Sequence, residues 1–357
     1  MKSTPAPPRV RRRILDLGFS GRAATRLAVA TMAAGAMVAA GAVVGRVAPA
    51  GASGGTVNLV AYSTPQAAFG AEVTAFEATK AGQGVTFSQS FAASGTQADD
   101  VVSGLPADVV NFSTTLDMDK LVKAGLVAKN WDQNSTAGMV TDSIVSFIVR
   151  KGNPKHIKTW ADLIKSGVQV VTPNPFSSGS AKWNLLAAYG AQLTTGQSAA
   201  KAQAYLSKLL SHTVSQPTSA STALQAFLAG QGDVLLDYQD DADYAVHQGE
   251  PITVVTPAQS ILIQNPIALT TTGAKNPAAK AFEAFLLSAA GQKIWAQQGY
   301  QPVVASVAKK FTFPEPAKLF TIGTLGGWTK VNTTFFDPTT GIVAKIEAGL
   351  GVSTASG

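Results

Sequence analysis

The 357-residue chain contains no cysteine. That absence excludes disulfides, thiolate metal sites, thiol catalysis and a lipid-modified cysteine behind a leader. Charge is scarce as well: 14% of residues are charged against 46% apolar, a balance suited to a large buried core. Only three histidines occur, His156, His212 and His247, each isolated from any second ligand at metal-binding spacing. Arg150 is the only arginine after position 46, so bidentate forks for phosphate or guanine are nearly missing. Past the N-terminal region there is no run of about 20 apolar residues able to span a bilayer. The 33 Gly and 18 Pro have no fixed period and read as turn punctuation between many short elements.

What charge there is lies unevenly. The formal net charge is +7, yet residues 1–52 hold eight basic side chains and one acid, which leaves 20 basic against 20 acidic in the rest. A neutral body lacks the clustered Lys and Arg that phosphate neutralisation needs, so a nucleic-acid partner is not expected. The same N-terminal stretch is Arg-rich up to Arg26, apolar from Leu27 to Val44 and then small-residued through Ala48-Pro49-Ala50-Gly51-Ala52. This is the three-part plan of a secretory signal. Residues 1–52 are therefore expected to direct export, with cleavage after Ala50 or Ala52 and a mature protein in the periplasm or at the outer face of the cytoplasmic membrane.

After residue 55, apolar runs alternate with amphipathic segments. Val57 to Tyr62, Val85 to Gln89, Asp108 to Phe112, Ser143 to Val149, Val168 to Thr172, Val234 to Tyr238 and Ile252 to Val255 read as strands. Helical spacing marks Ala67 to Lys80, Thr96 to Ser103, Leu116 to Ala124, Ala181 to Gln192, Ala199 to His212 and Thr222 to Ala229. Such alternation predicts mostly parallel sheets covered on both faces, and the length predicts two α/β lobes. Crossings between lobes are expected near Val149 to Pro154 and Ile261 to Pro266, where proline interrupts extended runs. Lobe I would comprise 56–148 with 263–357, lobe II 149–262, and a ligand would lie between them.

Four segments share one plan, in which a strand ends, a short loop of Ser, Thr, Gly or Asn follows, and a helix begins. They are Tyr62-Ser63-Thr64-Pro65, Ala93-Ser94-Gly95-Thr96, Asn174 to Ser180, and Pro217 to Thr222. Free N–H groups and the helix dipole at several converging N-termini can hold an anion with no cationic side chain. Simple N-capping accounts for any one of them equally well. The acids Asp237, Asp240, Asp241 and Asp243 pass from a strand end into a helix, where they suit the positive N-terminal end rather than a metal. A hydrolase would need a base beside Ser178 or Ser180, and no recognised nucleophile motif supplies one.

These stretches carry a resemblance. Gln89-Ser90 with Ala93-Ser94-Gly95-Thr96-Gln97, Val149-Arg150-Lys151-Gly152-Asn153-Pro154-Lys155, Ser178-Gly179-Ser180-Ala181-Lys182-Trp183-Asn184-Leu185, Gly232-Asp233-Val234-Leu235 and Gly326-Gly327-Trp328-Thr329-Lys330 occur in order from about residue 57 to 330. In them the chain resembles the periplasmic sulfate-binding protein family of sulfate and thiosulfate importers. The resemblance implies a hinged, two-lobed fold of the type II periplasmic-binding-protein kind, which encloses a fully ionised sulfate with amides, serine hydroxyls and an indole. It implies ligand contacts at Ser63, Thr64, Ser94, Ser178, Gly179, Ser180, Ser219 and Tyr238. Two of these positions depart from the family: Ser63-Thr64 replaces Asp-Pro, and Tyr238 replaces a tryptophan donor. A phenol still donates one hydrogen bond. The expected molecule is a monomeric, non-enzymatic binding protein without metal or cofactor that delivers sulfate or thiosulfate to the membrane permease of an ABC importer. Molybdate or phosphate is the alternative anion, and a secreted hydrolase the alternative class.

Overall fold

The structure is a computed structural model that describes residues 54–354; the signal expected over 1–52 lies outside the described residues. Eleven strands form one continuous sheet system: β1 (Thr56–Tyr62), β2 (Thr86–Ala92), β3 (Val109–Asn111), β4 (Met139–Arg150), β5 (Val170–Val171), β6 (Thr213–Ser215), β7 (Val234–Tyr238), β8 (Ile252–Val255), β9 (Gln259–Leu269), β10 (Gln301–Pro302) and β11 (Lys318–Phe320). Twelve helices pack around it: α1 (Gln66–Glu77), α2 (Ser94–Val102), α3 (Thr115–Lys123), α4 (Gly179–Thr194), α5 (Ala199–Ser211), α6 (Ala220–Leu228), α7 (Gln239–His247), α8 (Pro277–Leu286), α9 (Ala289–Gln297), α10 (Ala305–Ala308), α11 (Trp328–Val331) and α12 (Ile342–Gly349).

The main path runs β2-β1-β3-β9-β4-β7-β5-β6. Parallel ladders hold its two ends, β2-β1-β3 on one side and β7-β5-β6 on the other. Antiparallel strands β9 and β4 join them in the middle. In β4, Met139 to Ile144 pair with β9, whereas Val145 to Val149 pair with β7. The partner change therefore falls inside a continuous strand, ahead of the Val149-to-Pro154 segment expected from sequence. That segment instead forms the turn ending β4, with Gly152 and Asn153 at positive φ and the Asn153 side chain bonding Ile157 N–H and C=O.

Pro266 lies within β9, where the run Ile261 to Pro266 suggested an interrupted connection. Its missing N–H is tolerated because the β4–β9 register shifts between Met139 and Thr141, opposite the proline. The Pro266 carbonyl still accepts from Phe112 N–H at 3.0 Å and from Asn111 Nδ2 at 2.9 Å.

The apolar runs have the burial that a doubly covered sheet requires. Val57, Leu59 and Ala61 of β1 pack with Phe69, Phe76, Phe282 and Trp295, while Val60 faces Met118 and Leu121 on the other side. Across the joint, Val145, Phe147 and Val149 pack with Trp183, Leu186 and Leu209, and Ile148 turns to Leu224 and Phe227. The C-terminal segment contributes Phe320, Val331, Phe335, Phe336 and Val343 to the cluster around Trp183. Its packing thus lies with α4 and α5, whereas a division by chain order groups it with β1–β3.

Candidate functional site

Two of the four Ser/Thr loops, Ala93 to Thr96 and Asn174 to Ser180, converge on the segment that follows β3. At the end of β3, buried Ser113 stands at the centre. Its Oγ lies 2.6 Å from Tyr238 Oη, its carbonyl accepts from Trp183 Nε1 at 2.7 Å, and its N–H donates to Ser94 Oγ at 2.9 Å. Gly179 opens α4 against the same residue; a Cβ there would come within 2.7 Å of Ser113 Cβ, so only glycine permits this approach. Ser180 stands beside the Tyr238 hydroxyl.

The local reasons are visible in the chain. Ser178 is the N-cap of α4, its Oγ accepting from Ala181 N–H at 3.4 Å, which leaves the hydroxyl proton unspent. Ser94 differs. Its Oγ already donates to Asp117 Oδ2 at 2.7 Å, so its proton is committed to a buried carboxylate. Trp183 and Tyr238 are held by complete burial, Trp183 with its ring edge-on to Trp328 at 4.6 Å.

Ser63 and Thr64 follow β1 and reach a neighbouring cavity of about 460 Å³ that Ser221, Leu224, Asp241 and Tyr244 also line. Ser221 N–H donates to Ser63 Oγ at 3.5 Å and Thr64 Oγ1 donates to Asp241 Oδ2 at 3.1 Å. Ser219 stands apart from this contact as the N-cap of α6, closed into a capping box with Thr222. Of the eight residues named from sequence, the structure therefore gathers Ser94, Gly179, Ser180 and Tyr238 around Ser113. Ser178 is next in the chain, Ser63 and Thr64 meet α6 and α7, and Ser219 acts through its cap.

Ser113 is the residue that sequence reasoning passed over. The signal was present, since Asn111-Phe112-Ser113-Thr114 is also a strand end, two hydroxyls and a helix start. Its short strand made the pattern easy to miss.

Asp240 and Asp241 lie in the first turn of α7, as expected from the sequence, but they do not face solvent. Asp237, Asp240 and Asp241 are buried, and one oxygen of Asp237 and one of Asp240 have no hydrogen-bond partner. Burial pushes the Asp237 and Asp240 carboxyls well up, the neighbouring Asp241 adds to the effect, and Asp241 is raised by burial against its bond from Thr64. The remaining Asp237 oxygen accepts Tyr238 N–H, and Ser143 Oγ bonds Asp240. The upward shifts at Asp237 and Asp240 lessen the repulsion that these carboxyls exert on an anion next to Tyr238. Among the described residues no group of three or more His, Asp and Glu is placed to hold a metal ion. Burial likewise raises the phenols of Tyr238, Tyr62 and Tyr300, which keeps them as hydroxyl donors.

The arrangement offers hydroxyl, phenol and helix N-terminal donors from both sides of the joint, and among the described residues no Lys or Arg side chain bonds to Ser113 or Tyr238. Comparison with known proteins adds to this geometry. The profile of a family described as bacterial extracellular solute-binding protein matches residues 57–301. A sulfate-binding protein of Synechococcus elongatus is 35% identical over 291 residues, 78% of this chain and 83% of the relative. One of Escherichia coli K12 is 39% identical over 269 residues, 71% and 81% of the two chains. The solved structure of the sulfate-binding protein SubI from Mycobacterium tuberculosis H37Rv superposes with a TM-score of 0.76 at 43% identity, covering 78% of this chain and 98% of that one.

Proposed function

The chain belongs to the bacterial extracellular solute-binding proteins, and on that premise we propose that it captures sulfate outside the cytoplasmic membrane and hands it to the permease of an ABC importer. The observation that carries the reading is the convergence of uncharged donors from both ladders on Ser113 and Tyr238. Sulfate is fully ionised at neutral pH and needs only donors. Hydrogenphosphate carries a proton that must find an acceptor, and an unmatched buried polar group costs about 1 to 3 kcal/mol. The names of the relatives support the same anion.

In this reading Ser63, Thr64, Ser94, Ser178, Gly179, Ser180, Ser219 and Tyr238 surround the ligand, with Ser113 as the residue on which the two sides meet. Ser94 contributes once its proton leaves Asp117. The protein works as a monomer without cofactor, its lobes dividing where β4 and β9 change partners, and the segment after Phe320 moves with α4 and α5. Residues 1–52 act as the export signal.

Isothermal titration of the protein lacking residues 1–52 with sulfate, thiosulfate, molybdate and phosphate tests the proposal. Sulfate or thiosulfate is expected to bind tightest; phosphate binding tighter than both at neutral pH would overturn the assignment.

A further inference from the structure

A cavity of about 680 Å³ lies outside the set of site residues and shares none of its donors. Asp142 and Ile144 of β4 line it together with β10, Pro314, Pro316, Phe311, Phe313, Glu315 and Leu319. Its volume is that of a small-molecule site. The walls mix polar groups, among them Asp142, Gln301, Thr312 and Glu315, with apolar ones, and Leu319 is 49% exposed. Phe311 and Phe313 present a pair of rings with centroids 6.4 Å apart and planes 33° from parallel.

The charge in this cavity has one sign. Asp142 and Glu315 are the only charged residues among those lining it, with no Lys, Arg or His. Asp142 sits in β4 opposite Gln264 on one side and Gln301 on the other, and its enclosed Oδ1 has no hydrogen-bond partner. Burial raises its carboxyl to about 6 against the opposing bond from Gln264. At neutral pH the group is thus a largely enclosed carboxylate with no cationic side chain among the residues that line the cavity, a costly state that a cation relieves. Hard metal cations fit poorly, because they demand six or more oxygen ligands. An organic ammonium fits both halves of the wall, since aromatic faces attract cations and a carboxylate neutralises them.

We propose that this cavity is a second binding site, taking a small alkylammonium cation whose charge is met by Asp142 and whose carbon body rests on Phe311 and Phe313. The site is separate from the anion donors and does not depend on the sulfate reading. Choline, with its uncharged carbon isostere neohexyl alcohol, is the pair of probes, since the two differ in charge and hardly in shape. By isothermal titration choline is expected to bind saturably and the isostere at least about tenfold more weakly. Asp142→Asn is expected to lose about tenfold in choline affinity while keeping the parent's circular dichroism spectrum. Phe311→Leu, at a half-buried position where folding is less at risk, is expected to weaken choline several-fold. Equal binding of the two probes, no saturable binding of choline, or a folded Asp142→Asn protein that binds choline as tightly as the parent would each overturn the proposal.

Discussion

Serine hydroxyls at helix N-termini have two jobs available, and hydrogen-bond bookkeeping separates them. Ser178 accepts from Ala181 N–H through an oxygen lone pair, so capping and donation to an anion are compatible at that residue. Ser207, in contrast, is exposed on α5. Replacing Ser178 by Ala is expected to remove one hydrogen bond to a charged ligand, about 1.5 to 3 kcal/mol, and so weaken sulfate affinity roughly ten- to more than a hundredfold. Ser207→Ala is expected to leave affinity unchanged. Titration calorimetry on both variants decides the matter, and a Ser178→Ala protein with parental affinity would remove Ser178 from the ligand set.

At the scale of an element, α1 shows a cost that composition hides. Glu72 faces inward with 0% exposure, and neither of its carboxylate oxygens has a hydrogen-bond partner. Burial pushes the group up to about 9. The folded protein therefore holds a proton that the unfolded chain gives up near its ordinary 4.5. This contribution is fully present below about 4.5 and drains away as pH rises toward 9, by at most about 1.4 kcal/mol per pH unit. Asp142 acts in the same direction over a narrower range, up to about 6. Urea unfolding from mildly acidic to mildly basic pH is expected to show stability falling as pH rises, with Glu72→Gln making the slope shallower and the raised acids Asp237, Asp240 and Asp241 keeping the remainder. A variant as pH-sensitive as the parent would mean that Glu72 is hydrated in solution.

Across the whole molecule, the two ladders touch through a handful of bonds: Trp183 to Ser113, Tyr238 to Ser113, Gly95 N–H to Ser177 C=O, Thr64 to Asp241 and Ser221 to Ser63. Covalent continuity between the sides runs through β4, β9 and the stretch from β10 to β11, and such connections can flex while each core stays packed. An anion that bonds to both sides stabilises the closed arrangement by its contacts there and nowhere else. Solution scattering is expected to give a smaller radius of gyration with saturating sulfate than without it. An unchanged radius would argue that β4 and β9 do not act as a hinge.

How much of this was readable in the chain follows from the range of the forces involved. Strand and helix positions such as Val57 to Tyr62 and Ala199 to His212 were legible, because burial on one or both faces writes a period of two or of 3.6 into a few neighbouring residues. The hydroxyl-rich loops were legible for the same local reason, and so was the family, through its ordered motifs. Pairing was not. That β9 runs straight through Pro266, that β4 changes partners at Val145, and that Phe320 to Val343 pack onto α4 are set by contacts between residues distant in the chain. The same holds for Ser113 and for the buried acids of α7. A serine or an aspartate looks identical in sequence whether it faces water or a core, and only the tertiary structure, by taking the water away, decides which hydroxyls and carboxyls become the chemistry of the site.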